Sequence, residues 1–485
     1  MQALVAAALV LPLVGAATPG SVCWTALQGA CPFSGGAECD KCAGGQRQFL
    51  TLAGCQPSDT EEYCSDAPLS FTYRVEKLSS ARRDIGATSV GGRAVFAGGC
   101  TMTGDGSTQF ICDKGASPTV DIFSAEGLLV HTVNVSEPRG WMCAAPSGDS
   151  TVVLAGGGTS GVKPHSRTAD VLDLDTLEIK SYPEALSVGR WGIGCATVGG
   201  RTFFTGGKVT ISGYDNAYCV GSIDSFSASA GSTIDGTWTV APYNLSVARE
   251  SVTTVEVGGS LLVAGGWRAM GKYGPTVGEK TVDLFSDPVL GPPAKQTKHS
   301  LKYDAYAVGA ATVNGTAYVV GNAFLYKYSG NAEVGEPIRL PVAMAGVETG
   351  NDDSGVVPGG NVQANGVAVG GKYACFAGAP TKTVASAVYC LNVVTERWSR
   401  LPCSSPHKGG GIATVGDNIV LVGGGFDPAD KMTTANDIVD VFVLDLQGGG
   451  GGDRDVFRCV NNTCVGVPHT TGGWPDSATC QLGCG

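Results

Sequence analysis

Apolar segments recur along the chain in pairs, and a short glycine-rich turn separates the two members of each pair. The fullest copies are ATSVGGRAVFAGG from Ala87, CATVGGRTFFTGG from Cys195 and TTVEVGGSLLVAGG from Thr253. Weaker copies begin at Ala144, Ala311, Val367 and Ala413. Gly-Gly and Asn-Gly tolerate the positive φ that two-residue hairpin turns need, and the spacing of the glycines equals one strand length. Each copy therefore predicts a β-hairpin.

The seven copies align on the first residue of the turn. These residues are Gly91, Gly148, Gly199, Gly258, Asn314, Gly370 and Gly416. In five repeats a third apolar segment carries an aspartate, at Asp121, Asp170, Asp224, Asp283 and Asp440. A fourth strand then leads to the next repeat. Four strands in about 50 residues is the pattern of a propeller blade.

One repeat carries a fuller signature, VYCLNVVTERWSRLP from Val388, with Tyr389, Thr395 and Trp398 in characteristic places. It resembles the kelch repeat of secreted propellers, the galactose-oxidase-central-domain-like superfamily. The resemblance covers roughly Phe71 to Leu446 and implies a closed ring. The sequence thus predicts an all-β protein, a seven-bladed kelch-type β-propeller flanked by two small disulfide-rich modules.

Ring closure is predicted from the two ends of the repeat region. The seventh repeat lacks a fourth strand and runs into five glycines at 448–452, whereas residues 71–79 form an apolar strand with no blade of its own. We expect 71–79 to complete the last blade, within a propeller spanning 71–447. The other predicted segments are a signal peptide (1–17), cysteine-rich modules (18–70 and 453–485) and a glycine linker (448–452).

Composition favours a secreted, non-nucleic-acid-binding protein. The net charge is -11, whereas proteins that bind the phosphate backbone are normally basic. After the predicted signal peptide no apolar run is long enough to cross a membrane. The 18 cysteines suit an oxidising compartment. Glycosylation sequons occur at Asn134, Asn244, Asn314 and Asn461.

Cysteine spacing suggests disulfides but does not fix every pair. Cys39 and Cys42 form a CxxC, for which zinc or redox chemistry is the alternative to structural disulfides. Cys143 and Cys195 hold nearly equivalent places in two repeats and either link neighbouring blades or remain buried thiols. The disulfide candidates are Cys100, Cys112, Cys375, Cys390, Cys459, Cys464, Cys480 and Cys484.

A basic residue recurs nine residues before the first turn residue, which we call the Arg position. Its occupants are Arg82, Arg139, Arg190, Arg249, Ala305, Asn361 and His407. Strand order places this position near one mouth of the central channel. The side chains either hold the scaffold by donating to backbone carbonyls, or bind an anion. Three tryptophans, Trp141, Trp191 and Trp267, fall near the same face. The candidate ligand-binding residues are therefore Arg82, Arg139, Arg190, Arg249, His407, Trp141, Trp191 and Trp267.

These features favour an extracellular binding or scaffold protein that recognises a glycan or another protein through its loop face. The alternative is an enzyme acting on an acidic sugar at the channel mouth, and a third possibility is a purely structural protein. A copper oxidase is least favoured, because the five histidines are scattered. We predict no catalytic residue, metal or cofactor, and no nucleic-acid partner or integral membrane segment.

Overall fold

The computed structural model describes most of the chain. The described residues are 22–31, 36–65, 69–101, 112, 115–159, 165–210, 217–269, 276–288, 296–305, 309–321, 324–340, 366–378, 386–426, 435–446, 455–460 and 463–468. The predicted signal peptide, the glycine linker, Asn461, Cys480 and Cys484 lie outside these residues. Within them, no helix is long and apolar enough to span a membrane.

In the part of the chain that the structure describes, four helices precede the first strand. They are α1 (Val22–Ala30), α2 (Gly36–Gly45), α3 (Arg47–Leu52) and α4 (Pro57–Ser65). Three disulfides join them, Cys23–Cys55, Cys31–Cys42 and Cys39–Cys64. Leu27 and Tyr63 are fully buried at their centre. So short a segment buries little apolar surface, and the crosslinks supply much of its stability.

The remainder is built from strands. In chain order they are β1 (Phe71–Lys77), β2 (Gly86–Val90), β3 (Arg93–Ala97), β4 (Thr119–Phe123), β5 (Leu129–Asn134), β6 (Cys143–Pro146), β7 (Thr151–Ala155), β8 (Ala169–Asp173), β9 (Ile179–Tyr182), β10 (Gly194–Val198), β11 (Arg201–Thr205), β12 (Lys208–Thr210), β13 (Ala217–Cys219), β14 (Ser222–Ala228), β15 (Gly236–Asn244), β16 (Thr253–Val257) and β17 (Ser260–Ala264). They continue with β18 (Trp267–Ala269), β19 (Thr276–Phe285), β20 (Gln296–Ala305), β21 (Gly309–Val313), β22 (Thr316–Gly321), β23 (Phe324–Ser329), β24 (Ala332–Glu333), β25 (Ile338–Arg339), β26 (Gly366–Val369), β27 (Tyr373–Gly378), β28 (Ala387–Asn392), β29 (Trp398–Pro402), β30 (Gly411–Val415), β31 (Ile419–Gly423), β32 (Ile438–Leu444), β33 (Asp455–Val460) and β34 (Thr463–Pro468).

The strands form seven antiparallel blades arranged in a ring, as the repeats predicted. Blades 1 to 3 have the orders β2-β3-β4-β5, β6-β7-β8-β9 and β10-β11-β14-β15. Blade 4 is β16-β17-β19-β20, blade 5 is β21-β22-β23 with β24 and β25, and blade 6 is β26-β27-β28-β29. The inner strands contact one another in sequence, and β30 of blade 7 contacts β2 of blade 1.

Blade 7 is completed by the first strand of the chain. Its order is β30-β31-β32-β1, and β1 pairs with β32 from Phe71 opposite Leu444 to Lys77 opposite Ile438. The hairpin β33–β34 extends this sheet beyond β1, with Tyr73 opposite Cys464. Within the hairpin Cys459 lies opposite Cys464. Such closure gives the outermost strand of blade 7 a partner far away in sequence and removes the exposed sheet edge that an open ring would have.

The hydrophobic core is divided into seven layers, one at each interface between neighbouring blades. Phe96 of blade 1 packs with Leu421 of blade 7, and Val95 of blade 1 packs with Leu154 of blade 2. The remaining five interfaces are built in the same way. Second strands such as β7, β17 and β31 are buried along their whole length because each blade contacts two neighbours, whereas the innermost strands keep partly exposed residues such as Ser89 and Glu256.

Three further disulfides lie in the described part of the propeller. Cys100–Cys112 closes the loop that follows β3, and Cys375–Cys390 joins directly opposed residues of β27 and β28. Cys143–Cys195 joins the inner strands of blades 2 and 3. Of the two alternatives for this pair, the structure therefore has the link between blades. The CxxC cysteines pair with Cys64 and Cys31 rather than with each other or a metal.

Candidate functional site

The four arginines at the Arg position are fully buried, and each forms an ion pair with the aspartate of its own blade. The closest N–O distances are 2.6 Å for Arg82–Asp121, 2.6 Å for Arg139–Asp170, 2.8 Å for Arg190–Asp224 and 2.9 Å for Arg249–Asp283. Each guanidinium also donates to a carbonyl of the second strand, as Arg82 does to Phe96 at 3.2 Å. Burial lowers the pKa of Arg82, and Asp121 opposes this effect.

This arrangement corresponds to the scaffold interpretation of the arginines. The carbonyls belong to the same blade as the arginine that donates to them. The aspartates also accept backbone amides from the segments that enter the blades, including Ser79 N on Asp121 and Ser246 N on Asp283. Because no guanidinium surface is exposed, a ligand site at Arg82, Arg139, Arg190 and Arg249 finds no support in their placement.

Blades 5 and 6 depart from this pattern at both of its positions. Ala305 and Asn361 stand at the Arg position, and Asn361 lies outside the described residues. Strand register places Tyr326 and Tyr389 where the other blades have aspartate. The Tyr326 hydroxyl accepts the backbone N–H of Lys302 at 2.9 Å, as the aspartates accept the amides of other entering segments. Arginine and aspartate are thus replaced together.

In blade 7 His407 takes the arginine's place. Its Nδ1 lies 2.7 Å from the carbonyl oxygen of Gly424, and its Nε2 lies 2.8 Å from the Asp440 carboxylate. Tyr73 of the closing strand also donates to Asp440. His407 is buried, so it too is enclosed within its blade instead of facing the channel.

The residues that follow the Arg position precede the first strand of each blade, which the strand order places toward one mouth of the central channel. The residue two places later adopts a left-handed conformation, with φ of 57° at Asp84, 51° at Trp141, 65° at Gly192, 51° at Ser251 and 72° at Gly409. Backbone bonds run between adjacent blades, from Trp141 N to Asp84 O at 2.9 Å and from Asp84 N to Gly409 O at 2.6 Å. Glycine is the strain-free choice at such φ, so the Asp, Trp and Ser side chains are retained there at a cost of about 1–3 kcal/mol each.

Cations and aromatic rings alternate around this mouth. The Arg83 guanidinium lies 5.6 Å from the Trp141 ring centroid and 5.4 Å from that of Phe426. Trp141 in turn lies 5.6 Å from Trp191, whose ring is 5.4 Å from the Lys208 ammonium. We call the following residues the mouth belt: Arg83, Asp84, Trp141, Trp191, Lys208, Glu250, Lys408 and Phe426. Their side chains are held by packing, by cation–π contacts and by the ion pairs Arg83–Asp84 and Lys208–Glu250.

Two buried carboxyl groups of the mouth belt have perturbed acidities. Burial raises the pKa of Asp84 to about 6, although Arg83 and Lys408 oppose the shift. Burial also raises the pKa of Glu250, which pairs with Lys208 at 2.9 Å. Burial lowers the pKa of Lys408, and Asp84 opposes that effect. Perturbed acids beside cations are typical of sites that bind polar ligands or transfer protons.

Two tryptophans of the mouth belt present unused donors. The indole N–H groups of Trp141 and Trp191 are buried, and neither has a hydrogen-bond partner among the described residues. Both side chains are almost completely buried, so neither offers an exposed stacking face. Trp267 is partly exposed, and its backbone pairs with that of Glu250 through two bonds of 2.8 Å. A buried N–H without a partner is costly, and such groups call for an explanation.

The structure therefore brings Trp141 and Trp191 together, but with Arg83 and not with the arginines at the Arg position. Sequence reasoning missed the other six residues of the mouth belt, which are Arg83, Asp84, Lys208, Glu250, Lys408 and Phe426. Asp84 and Glu250 could have been found by comparing blades one and two residues after the Arg position, where the repeats differ most in chemistry. Repetition marks the scaffold, whereas departures from repetition mark the mouth belt.

Comparison with known proteins does not assign the chain to a family. No protein-family model matches the chain, and no curated protein sequence is significantly similar to it. The fold itself is a seven-bladed β-propeller, which in general fits a binding or scaffold role. Among the sequon asparagines, Asn134, Asn244 and Asn314 are exposed.

Proposed function

We propose that this protein is a secreted kelch-type propeller that binds a glycan at the mouth belt. The six disulfides of the described residues suit the oxidising extracellular environment, and the exposed asparagines of three sequons could carry glycans. The proposal includes the signal peptide at 1–17 and the propeller at 71–447. It also includes the linker at 448–452 and the cysteine-rich modules at 18–70 and 453–485.

The observation that carries the proposal is the cluster of cations and aromatic rings in the mouth belt, which includes two indole N–H groups without a partner among the described residues. Sugar hydroxyls are good acceptors, and each hydrogen bond to a preorganised donor contributes about 1 kcal/mol. Lys208 and Arg83 lie beside these donors, and Trp267 offers a partly exposed ring on the same side. Ligand sites typically combine apolar walls with a few fixed polar groups, and the mouth belt has this composition.

The test is a glycan array with the full chain, followed by calorimetry on the best ligand. Trp191→Phe keeps an aromatic ring but removes the N–H, so we expect about tenfold weaker binding. Trp238→Phe is the matched control, because the Trp238 N–H also lacks a described partner but lies on β15, the outermost strand of blade 3. Binding that is unchanged in both variants contradicts the assignment of the site. No glycan binding at all leaves a protein ligand or a structural role.

A second candidate function is catalysis on an acidic sugar, and the raised pKa values of Asp84 and Glu250 favour it. A carboxyl group with a pKa of about 6 can hold and deliver a proton near neutral pH, and nearby cations would attract a carboxylated substrate. Uronic-acid oligosaccharides incubated with the protein and followed by NMR would reveal turnover. Asp84→Asn should abolish turnover while leaving binding in place, whereas turnover that survives this change excludes Asp84 as the acid.

A further inference from the structure

Blade 7 departs from the repeat pattern at two positions that are neighbours in space. Four residues before the Arg position the other blades carry an aliphatic residue, namely Leu78, Val135, Leu186, Leu245, Leu301 and Val357. Blade 7 has Cys403 there and His407 at the Arg position, while it keeps the aspartate as Asp440. Both departures introduce side chains that ligate transition metals, and both lie beside a carboxylate that was already present.

The three side chains converge on one point. The Cys403 sulfur, a ring nitrogen of His407 and a carboxylate oxygen of Asp440 all lie within 4.8 Å of one another. Cys403 is partly buried and forms no disulfide, whereas His407 and Asp440 are buried. Among the cysteines described between residues 22 and 446, all except Cys403 and Cys219 are in disulfides.

Hydrogen bonding fixes the orientation of the imidazole. The Gly424 carbonyl can only accept, so the Nδ1 atom of His407, 2.7 Å away, carries the ring proton. The other ring nitrogen, Nε2, then faces Asp440 Oδ2 at 2.8 Å. That carboxylate already accepts Ser404 Oγ at 2.6 Å, Ser404 N at 3.0 Å and the Tyr73 hydroxyl. His407 and Asp440 are thereby fixed in position beside the Cys403 sulfur.

We propose that Cys403, His407 and Asp440 bind Zn²⁺ in the last blade. Zinc is borderline in softness and accepts thiolate, imidazole and carboxylate ligands together, whereas calcium and magnesium prefer oxygen alone. The outer contacts also fit, because metal-bound histidines typically donate their second N–H to a carbonyl and metal-bound carboxylates are themselves hydrogen-bonded. Gly424, Ser404 and Tyr73 provide these contacts. Three protein ligands leave the fourth tetrahedral position for water.

The site would fasten the closure of the ring. Cys403 and His407 lie in the segment that enters blade 7, Asp440 is on β32, and Tyr73 is on the closing strand β1. A metal held by the first three residues joins the entering segment to β32, and the Tyr73 hydrogen bond connects β1 to the same carboxylate. Zinc bound in this way stabilises only the closed state, so it raises the free energy of unfolding.

The test uses the full chain, stripped with a chelator and dialysed, then titrated with Zn²⁺ and with Co²⁺. We expect stoichiometric zinc uptake, a rise in Tm with zinc concentration, and a thiolate-to-cobalt charge-transfer band in the Co²⁺ form. Cys403→Ser should weaken zinc binding by at least about tenfold and remove the charge-transfer band. Cys219→Ser is the matched control, because Cys219 is the other described propeller cysteine outside the disulfides and its replacement should leave uptake unchanged.

A second variant keeps the proposal falsifiable if Cys403→Ser fails to fold. Cys403→Leu/His407→Arg restores the residues that blades 1, 3 and 4 carry, so it should fold with the introduced guanidinium paired to Asp440. This variant should show no zinc-dependent rise in Tm. Zinc uptake equal to that of the wild type in this variant overturns the proposal. A wild type whose Tm does not respond to zinc also overturns it, because no metal then joins the segment that enters blade 7 to β32.

Discussion

In blades 1 to 4 a buried arginine pairs with a buried aspartate, whereas in blades 5 and 6 a tyrosine stands at the aspartate position and no arginine accompanies it. Blade 6 shares the antiparallel four-strand order of blades 1 to 4, and in blade 5 the short strands β24 and β25 take the outer position. The two sets differ in how the amide of the entering segment is satisfied, by a carboxylate on Asp283 in blade 4 and by a hydroxyl on Tyr326 in blade 5.

The comparison teaches that the charged pair behaves as a single unit. A buried carboxylate without a partner is strongly unfavourable, so blades 5 and 6 lack both residues, whereas blade 7 keeps Asp440 and pairs it with His407. A tyrosine supplies one polar atom for the amide and fills space with an apolar ring. Neither the arginine–aspartate pair nor the tyrosine needs a ligand as a partner. The arginines of the Arg position therefore belong to the scaffold of each blade.

The largest expected effect comes from breaking the unit in blade 3. Arg190→Ala leaves Asp224 buried and unpaired, and we expect the free energy of unfolding to fall by about 3–5 kcal/mol. The double variant Arg190→Ala/Asp224→Tyr reproduces the combination of Ala305 and Tyr326, and it should recover most of this loss. Urea denaturation followed by tryptophan fluorescence measures both.

The control for this exchange is Asp224→Tyr alone. It leaves the Arg190 guanidinium buried without its carboxylate and should be as destabilising as Arg190→Ala. If the double variant is no more stable than either single variant, the two positions are independent and the comparison between blades fails. Additivity is the expectation for residues that do not interact, so the coupling energy is the decisive quantity.

The next prediction compares the stabilisation contributed by a disulfide between two blades with that contributed by a disulfide within one blade. Cys143–Cys195 closes a span of 52 residues between blades 2 and 3, and Cys375–Cys390 closes 15 residues within blade 6. Chain-entropy arguments give about 4 kcal/mol for the first and about 3 kcal/mol for the second. We expect Cys143→Ala/Cys195→Ala to lower the Tm more than Cys375→Ala/Cys390→Ala. The opposite order would show that packing within blade 6 matters more than loop length.

Much of the fold follows from the repeats, because each hairpin needs positive-φ turns and inner strands buried on both faces. Glycine pairs such as Gly199–Gly200 mark these turns directly, and both residues have positive φ. The unpaired apolar strand before Arg82 and the incomplete seventh repeat together indicate the closure that β1 and β32 make. Local sequence is sufficient to predict the blades because the same hairpin pattern is repeated along the chain.

The site was less predictable, because it depends on pairings across the sequence. The sequence around Arg190 does not indicate that Asp224 forms an ion pair with it. Both an exposed anion-binding arginine and an arginine buried in the scaffold were therefore compatible with the sequence. The acidity of Asp84 likewise arises from burial against the neighbouring blades, since its backbone bonds to Gly409 of blade 7 and to Trp141 of blade 2. Burial of this kind is a property of the closed ring, and no single repeat encodes it.

Blades also differ two residues after the Arg position, where Asp84 stands in blade 1 and glycine in blades 3 and 7. The pKa of Asp84 is raised from 3.8 to about 6, so the folded protein holds this proton more tightly than the unfolded chain. Its contribution to the free energy of unfolding is therefore full below about pH 4 and is lost as the pH rises to about 6. The loss amounts to about 3 kcal/mol.

Asp84→Asn cannot ionise and should lack this part of the pH dependence. Free energies of unfolding measured by denaturant titration between pH 4 and 7 give a difference curve between the wild type and the variant. We expect the difference to change by about 2 kcal/mol over this interval, with the wild type losing stability as the pH rises. Parallel curves would show that Asp84 has an ordinary pKa and that the mouth belt is solvated.

The smallest expected effect concerns Tyr326, the tyrosine that stands at the aspartate position in blade 5. Tyr326→Phe removes the acceptor of the Lys302 amide, and we expect the free energy of unfolding to fall by about 1 kcal/mol. Tyr328→Phe is the control on the same strand, because the Tyr328 hydroxyl is buried with no partner among the described residues and its removal should be neutral or stabilising. Equal losses in both variants would mean that the hydroxyl of Tyr326 contributes only packing. Blade 5 would then hold its entering segment without replacing the aspartate's hydrogen bond, and arginine and aspartate could be lost together simply because neither is tolerated alone.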